Sequence, residues 1–252
     1  MDLTVIGAGP AYTDDPESVG ACYLVRHEGS AIALDLGQGA FARLASRIEP
    51  GSLEAIVVSH LHPDHFIDLV ALRHYLRYYR QPPARMRVLG PAGIGHRIDA
   101  LHAWPGFSAE ALDCTAVAPG TVDVGSFRIE AARVAHHGDS FGFRVSPGSE
   151  AGGRGRGLVY SGDIGVADDL RPLIQPDDVL VIEVSFGPGQ VPEGAMHLNA
   201  AAVARLAAET RPSRVLLTHL QMGHDREATV AAVKTSFDGP VEMIQPGFET
   251  AI

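Results

Sequence analysis

The chain has 252 residues and only two cysteines, Cys22 and Cys114, far apart in sequence. Neither sits in a C-x-x-C pair, which argues against a cysteine zinc site and leaves two buried, reduced thiols as the expectation. Basic residues are also scarce. Lys and Arg total 20 against 30 for Asp and Glu, a net charge of -10. That balance lacks the basic footprint of broad nucleic-acid binding. It leaves room for an anionic substrate, because two divalent ions would bring about +4 into a site. No apolar run approaches the ~18 residues of a membrane span. The opening Met1-Asp2-Leu3-Thr4-Val5-Ile6-Gly7 reads as a short strand without a basic segment before it, so no signal peptide is expected. A cytoplasmic protein without membrane association is the resulting expectation.

What the chain does have is apolar content. At 46% hydrophobic and 20% charged it can bury a full core, as one large domain or two small ones. Short apolar runs bounded by glycine or polar turns read as strands at 3–6, 22–26, 31–36, 55–59, 87–90, 122–124, 127–135, 141–145, 158–161, 179–184, 214–218 and 241–244. Helical spacing is expected over 41–48, 66–80, 93–103, 199–209 and 226–236, with Pro82-Pro83 and Arg211-Pro212 as stops. Strands and helices in each half suggest two sheets packed face to face with helices outside. The glycine-rich segment Pro147 to Gly157 reads as a surface hairpin loop. No helix opens after it, so a phosphate cradle is a weak reading.

The densest chemistry is Ser59-His60-Leu61-His62-Pro63-Asp64-His65, directly after the apolar run Ala55-Ile56-Val57-Val58. Three histidines and an aspartate at a strand end can feed two neighbouring metal ions. Three further candidates also follow apolar strands: His136, Asp163 and His219. His60, His62 and His136 can bind a first ion, and Asp64, His65 and His219 a second. The two oxygens of Asp163 can bridge them. Imidazole and carboxylate donors without thiolate suit Zn2+, with Mn2+ or Fe also compatible. A shared open position would then hold a water between ions roughly 3.5–4 Å apart. His27, His74, His96 and His102 read as ordinary surface or core histidines. His137 competes with His136.

At these residues the chain resembles the metallo-β-lactamase-fold hydrolases. His60-x-His62-x-Asp64-His65 is similar to that superfamily's signature, and His136, Asp163 and His219 are similar to its later ligand positions in order. Val5-Ile6-Gly7-x-Gly9 and Leu34-Asp35-Leu36-Gly37 look like its N-terminal half. The implied fold is α/β, a four-layer αβ/βα sandwich of two mixed sheets flanked by helices. It would span residues 1–252 as a single domain.

Details select a branch. Glyoxalase II and the lactonases present the third histidine as G-H-[ST]-x-G. Here the segment is His136-His137-Gly138-Asp139-Ser140-Phe141-Gly142-Phe143-Arg144. It resembles the phosphodiesterase branch, which includes the tRNA 3′-processing endonucleases of the ribonuclease Z type. Counting back from Gly142-Phe143-Arg144 selects His136. Ser161-Gly162-Asp163 is similar to that branch's [ST]-G-D. Glu183-Val184-Ser185-Phe186 and His197-Leu198-Asn199-Ala200 resemble its E-x-[ST]-F…H-x-[ST]-A pair. Departures are the proline at 63 in place of a glycine, and an interval between His136 and Asp163 too short for a tRNA-binding arm. The S-x-R-Y ending after the last ligand is also missing.

The resemblance implies a dinuclear metal-dependent hydrolase of a small phosphodiester, such as a cyclic nucleotide. Asp64 would be both a ligand and the group that orients the attacking water. His197, oriented by Glu183, would protonate the leaving oxygen. Competing readings are a lactone, thioester or sulfate-ester hydrolase, an RNA 3′-processing nuclease, and a catalytically silent metal-binding module. The resemblance also implies a homodimer. Tyr75, Tyr78 and Tyr79 fit core, substrate wall or dimer contact, with core the expectation. The loop from Trp104 to Phe107 is a candidate cover for the site.

Overall fold

Apolar residues occupy consecutive rather than alternate positions in most strands, as in Val179–Glu183, where all five residues are buried. Such a strand must be covered on both faces. The computed structural model, which describes residues 1–148 and 155–252, shows how that is achieved. A seven-stranded sheet runs in the order β14 (Glu249–Ala251), β1 (Asp2–Gly7), β2 (Cys22–His27), β3 (Ser30–Leu34), β4 (Ala55–Val57), β5 (Met86–Gly90), β6 (Leu112–Ala116). A second seven-stranded sheet runs β13 (Val241–Met243), β12 (Arg214–Thr218), β11 (Val179–Glu183), β10 (Leu158–Tyr160), β9 (Phe141–Pro147), β8 (Phe127–Arg133), β7 (Gly120–Val124). Both are mixed. β3 to β6 are parallel, and so are β10 to β13.

Side chains alternate between two apolar layers. Tyr23, Val25, Ile32, Leu34 and Val57 meet Phe141, Phe143, Val179 and Val181 between the sheets. Leu24, Ala33, Ile56 and Val88 face outward, against α1 (Ala40–Ala45), α3 (Leu69–His74) and α4 (Ile94–His102). Leu180, Ile182, Val215 and Leu217 face α5 (Ala200–Thr210) and α6 (Arg226–Lys234). Each fully buried leucine, isoleucine or valine contributes roughly 1.5–3 kcal/mol. The four layers are those expected from the sequence. Asn199 caps α5 by accepting from the Ala202 amide at 3.1 Å, and Asp225 caps α6 through Ala228 at 2.7 Å.

Several expectations need correction. The helix expected over 66–80 is three pieces: α2 (Pro63–Phe66), α3, and a wide π-turn at Tyr75–Tyr79. Asp68 interrupts it. Its amide donates to Leu36 O at 3.1 Å, and its Oδ2 accepts from the Phe41 amide at 2.8 Å. Tyr75 packs partly buried, whereas Tyr78 and Tyr79 are exposed, so the core reading holds only for Tyr75. Phe107 is no site cover: it is fully buried in the helix-side core, beneath the Arg73 guanidinium at 4.0 Å. The strands β6 and β14 were not anticipated, because neither carries a continuous apolar run. Cys22 and Cys114 are free thiols, the first buried and the second half-buried. The expected hairpin loop at 147–157 lies outside the described residues over 149–154. Among the described residues no helix is long and apolar enough to cross a membrane.

Candidate metal centre

Because β10, β11 and β12 are parallel, their C-terminal ends share one edge. The ends of β3 and β4 share an edge of the other sheet. The sheets are joined there: Phe141 N donates to Ser59 O at 3.0 Å and His219 N to Ala8 O at 3.1 Å. The seven candidate ligands lie on the segments that leave strand ends at this rim. His60 and His62 follow β4. Pro63 opens α2 at its first turn, where its fixed φ fits and its missing N–H costs nothing. That turn then carries Asp64 and His65. The replacement of glycine by proline is therefore compatible with the geometry of the cluster.

The seven side chains gather as the sequence suggests. His60, His62, His136 and Asp163 bring ligand atoms within 4.8 Å of one another, and so do Asp64, His65, Asp163 and His219. Asp163 is common to both sets and divides its oxygens. Oδ2 lies 3.7 Å from His60 Nε2 and 3.9 Å from His136 Nε2. Oδ1 lies 3.2 Å from His65 Nε2 and 3.4 Å from His219 Nε2. Gly162, between Ser161 and Asp163, has φ 56, and a Cβ there would stand 2.7 Å from Ser59 Cβ. Only glycine places the carboxylate at this point without displacing Ser59.

Hydrogen bonds on the far side of the imidazoles decide which nitrogen faces the centre. His136 Nδ1 donates to Met196 O at 2.8 Å, an acceptor only, so its Nε2 is free of hydrogen in the neutral ring. Ser59 Oγ gives its hydrogen to Asp35 Oδ2 at 2.7 Å, so it accepts from His60 Nδ1 at 3.1 Å. Ser185 Oγ likewise donates to Glu183 Oε2 at 2.7 Å and accepts from His219 Nδ1 at 3.0 Å. His65 Nδ1 donates to Asp35 Oδ2 at 2.7 Å. Four imidazoles thus turn Nε2 inward: His60 and His136 as neutral rings with a free lone pair, His65 and His219 toward the Asp163 and Asp64 oxygens at 3.2 Å, where release of the Nε2 proton would leave a lone pair for a cation.

Buried polar atoms point the same way. His60 Nε2, His65 Nε2 and Asp163 Oδ1 are buried without a hydrogen-bond partner. Leaving three such atoms unpaired costs stability unless a ligand is held there. The residues therefore fit divalent cations.

Titration divides the two sets. Burial pushes His60 well down, lowers His62, and takes His136 down to about 4. These rings are neutral near pH 7, ready to act as donors. His65 and His219 are shifted upward despite burial, because Asp163 faces both, with Asp35 and Asp64 adding to the effect. Burial opposes ionisation of Asp163 and Asp64, but the neighbouring histidines outweigh it and hold both carboxyls below the usual range. The anionic oxygens are thus present at neutral pH.

Beside the second set lies a third group, Glu183, His197 and His219. Glu183 is fully buried at the end of β11 and accepts from four donors. His197 Nδ1 reaches its Oε1 at 2.8 Å and Ile164 N the same oxygen at 3.1 Å. Ser185 gives both its amide, at 3.0 Å, and its hydroxyl to Oε2. Burial lowers the proton affinity of His197, yet the Glu183 carboxylate more than compensates and raises it. One carboxylate thereby holds His197 directly and His219 through Ser185.

Asp35, Ser59, Ser185 and Tyr160 support the site but were not singled out for it by sequence. Asp35 Oδ2 also accepts from Tyr160 Oη at 2.6 Å. Asp35 and His219 both adopt left-handed backbone, at φ 60 and 57, uncommon for residues other than glycine. The strand expected over 31–36 enclosed Asp35, whereas β3 ends at Leu34 and leaves Asp35 at a strand end, as the ligands are on theirs. His137 is exposed, its ring 5.7 Å from that of His62, and belongs to neither set. His27, His74, His96 and His102 also lie outside the metal-capable groups.

Known proteins resemble this chain in sequence and in fold. The β-lactamase superfamily domain matches residues 33–220. The chain belongs to that family. It is 31% identical over 256 residues to an uncharacterised protein of Mycobacterium leprae, across 97% of this chain and 86% of that one. The probable metallo-hydrolase YhfI of Bacillus subtilis is 24% identical over 98% of both chains. The crystal structure of YhfI superposes with a TM-score of 0.87 over 99% of this chain and 98% of that one, at 22% identity. A ribonuclease Z of Bacillus subtilis is 26% identical over 94% of both chains. The chain therefore has the fold of a metallo-hydrolase related to ribonuclease Z, with His/Asp clusters able to bind metal ions.

Proposed function

We propose that the protein is a dinuclear, zinc-dependent hydrolase of a small phosphodiester such as a cyclic nucleotide. His60, His62, His136 and Asp163 would hold one ion, and Asp64, His65, Asp163 and His219 the other. When bound, two such ions supply Lewis acidity and a water that ionises near neutral pH. Asp163 keeps one oxygen toward each set, and Asp64 orients the attacking water. His197 holds a proton on the ring and passes it to the departing oxygen from Nε2, while Glu183 fixes Nδ1.

The observation that carries this reading is the 2.8 Å contact between His197 Nδ1 and Glu183 Oε1, with Nδ1 4.0 Å from Asp163 Oδ2. An alkoxide leaving group needs a proton donor beside the metal-binding carboxylates, and His197 stands there, partly exposed. The likeness to a ribonuclease also supports phosphodiester chemistry. RNA 3′-processing is less well supported. The chain between His136 and Asp163 is β9, β10 and their short connection, and the net charge of -10 opposes a polyanion. A homodimer and a cytoplasmic setting belong to the same proposal.

The test is metal analysis and an activity panel on one preparation. The panel holds bis(p-nitrophenyl) phosphate, cyclic nucleotides, a lactone, a sulfate ester and a precursor tRNA. Zinc near two equivalents with turnover of a cyclic nucleotide is the expected outcome. A lactone preferred over every phosphodiester by orders of magnitude would overturn it, as would cleavage confined to the tRNA 3′ trailer.

A further inference from the structure

The apolar layer between the sheets is open at one side. β6 and β7 are the edge strands there, one from each sheet. Behind the chain that links them is a cavity of ≈ 280 Å³. Its walls include Val57, Leu89, Val122, Ile129 and Phe143. Four of these, all but Val122, belong to the buried layer between the sheets. None of the candidate metal ligands lines it.

One charged side chain joins these walls. Met86 and Val88 of β5 face the helices, so the strand's alternation turns Arg87 to the inter-sheet side with Leu89. Arg87 is half-buried and lines the cavity. Its register partner on β6, Asp113, is taken by Arg85 at 2.9 Å. Among the described residues the Arg87 side chain has no hydrogen bond or ion pair; only its backbone is engaged, in the β5–β6 ladder. None of its nitrogens is buried without a partner, so the guanidinium stays accessible to water at the margin of this apolar wall and its donors are available to a ligand. It also offers a planar fork suited to a carboxylate.

We propose that this cavity binds a small amphiphilic carboxylate. Its apolar chain would lie along Val57, Leu89, Ile129 and Phe143, and its carboxylate would meet Arg87. The site is separate from the hydrolytic centre and stands or falls independently of the reaction assigned there. The probe is octanoate, titrated into the purified protein by calorimetry and by methyl NMR, with octanol as the uncharged control. Octanoate should bind saturably, shift the methyls of Val57, Leu89 and Ile129, and bind at least tenfold more tightly than octanol. R87Q should remove that preference while the thermal midpoint stays near that of the parent. V122W should abolish binding of both; if it fails to fold, the methyl shifts locate the site instead. Absence of saturable binding, equal affinity for R87Q, or shifts confined to residues around His60 and His219 would each overturn the proposal.

Discussion

Asp35 Oδ2 accepts from His65 Nδ1 at 2.7 Å, while His65 Nε2 faces Asp163 Oδ1 at 3.2 Å. A carboxylate, an imidazole and a second carboxylate stand in line, and the middle ring is thereby fixed in direction. The same Asp35 oxygen takes the Ser59 hydroxyl, which in turn sets His60. One buried side chain therefore orients a histidine in each of the two sets.

Removing it should loosen metal before it alters substrate. Asp35→Ala should lower metal affinity about 10–100-fold, the usual cost of losing a partner that orients a ligand. Competition against a chelator, with circular dichroism to verify the fold, measures this. A folded variant that keeps the parent's affinity would show that Asp35 serves only packing.

The role given to His197 is separable from metal binding by choice of leaving group. A poor leaving group needs its proton, whereas p-nitrophenolate does not. His197→Ala should lower kcat on a cyclic nucleotide about 100-fold or more. It should leave kcat on bis(p-nitrophenyl) phosphate within a few-fold. Equal losses on both substrates would mean that His197 acts in binding or structure.

Much of this centre was legible because its residues obey one rule: a polar side chain just past the end of a strand. His60, His136 and Asp163 each lie three residues past a strand end and His219 one, and parallel strands bring such ends to one rim. Asp35 obeys it too, but a lone aspartate before Leu36-Gly37 reads equally well as a turn residue. Ser59 and Ser185 were beyond reach for a different reason. Their roles depend on which partner takes the hydroxyl hydrogen, a property of three-dimensional contacts. Gly37 shows the same limit: a Cβ there would stand 1.8 Å from Asp64 O, so its need for glycine arises from the loop that carries Asp64. The break near Asp68 was hidden because periodicity sees side-chain hydrophobicity, while Asp68 leaves the helix through its backbone bond to Leu36.

The two thiols should be inert in the folded protein. Burial pushes Cys114 up to about 11 and Cys22 well above its ordinary value of 9.0. The thiolate is the reactive form, so iodoacetamide at pH 8 should label neither until the chain is unfolded in urea. The same shifts fix a sign for alkaline stability. The unfolded chain releases these protons near 9.0, and the folded chain holds them longer. Stability present below pH 9 is therefore lost as pH rises toward about 11. Tyr23 and Tyr160, also raised by burial, act in the same direction. Rapid labelling of the native protein at pH 8 would contradict the raised proton affinity of whichever thiol reacts.

Arg144, in the segment that pointed to His136, is structural. It is 1% exposed. Its Nε and Nη2 donate to the two oxygens of Asp178 at 2.8 and 3.0 Å. Asp178 also accepts from Gly157 N at 2.7 Å and Gln175 N at 2.9 Å, tying β9 to the starts of β10 and β11. Asp178→Ala would leave a buried guanidinium with Glu130, at 3.0 Å, as its remaining carboxylate partner. Breaking a buried pair on one side costs roughly 3–5 kcal/mol, and Glu130 places this case at the lower end, about 3 kcal/mol. Replacing both partners, as Arg144→Met with Asp178→Leu, should cost less, because no charge is then stranded. Urea unfolding of the two variants decides between them. A single variant within about 1 kcal/mol of the parent would mean that water or Glu130 already satisfies Arg144, and that the ion pair does not hold these strands together.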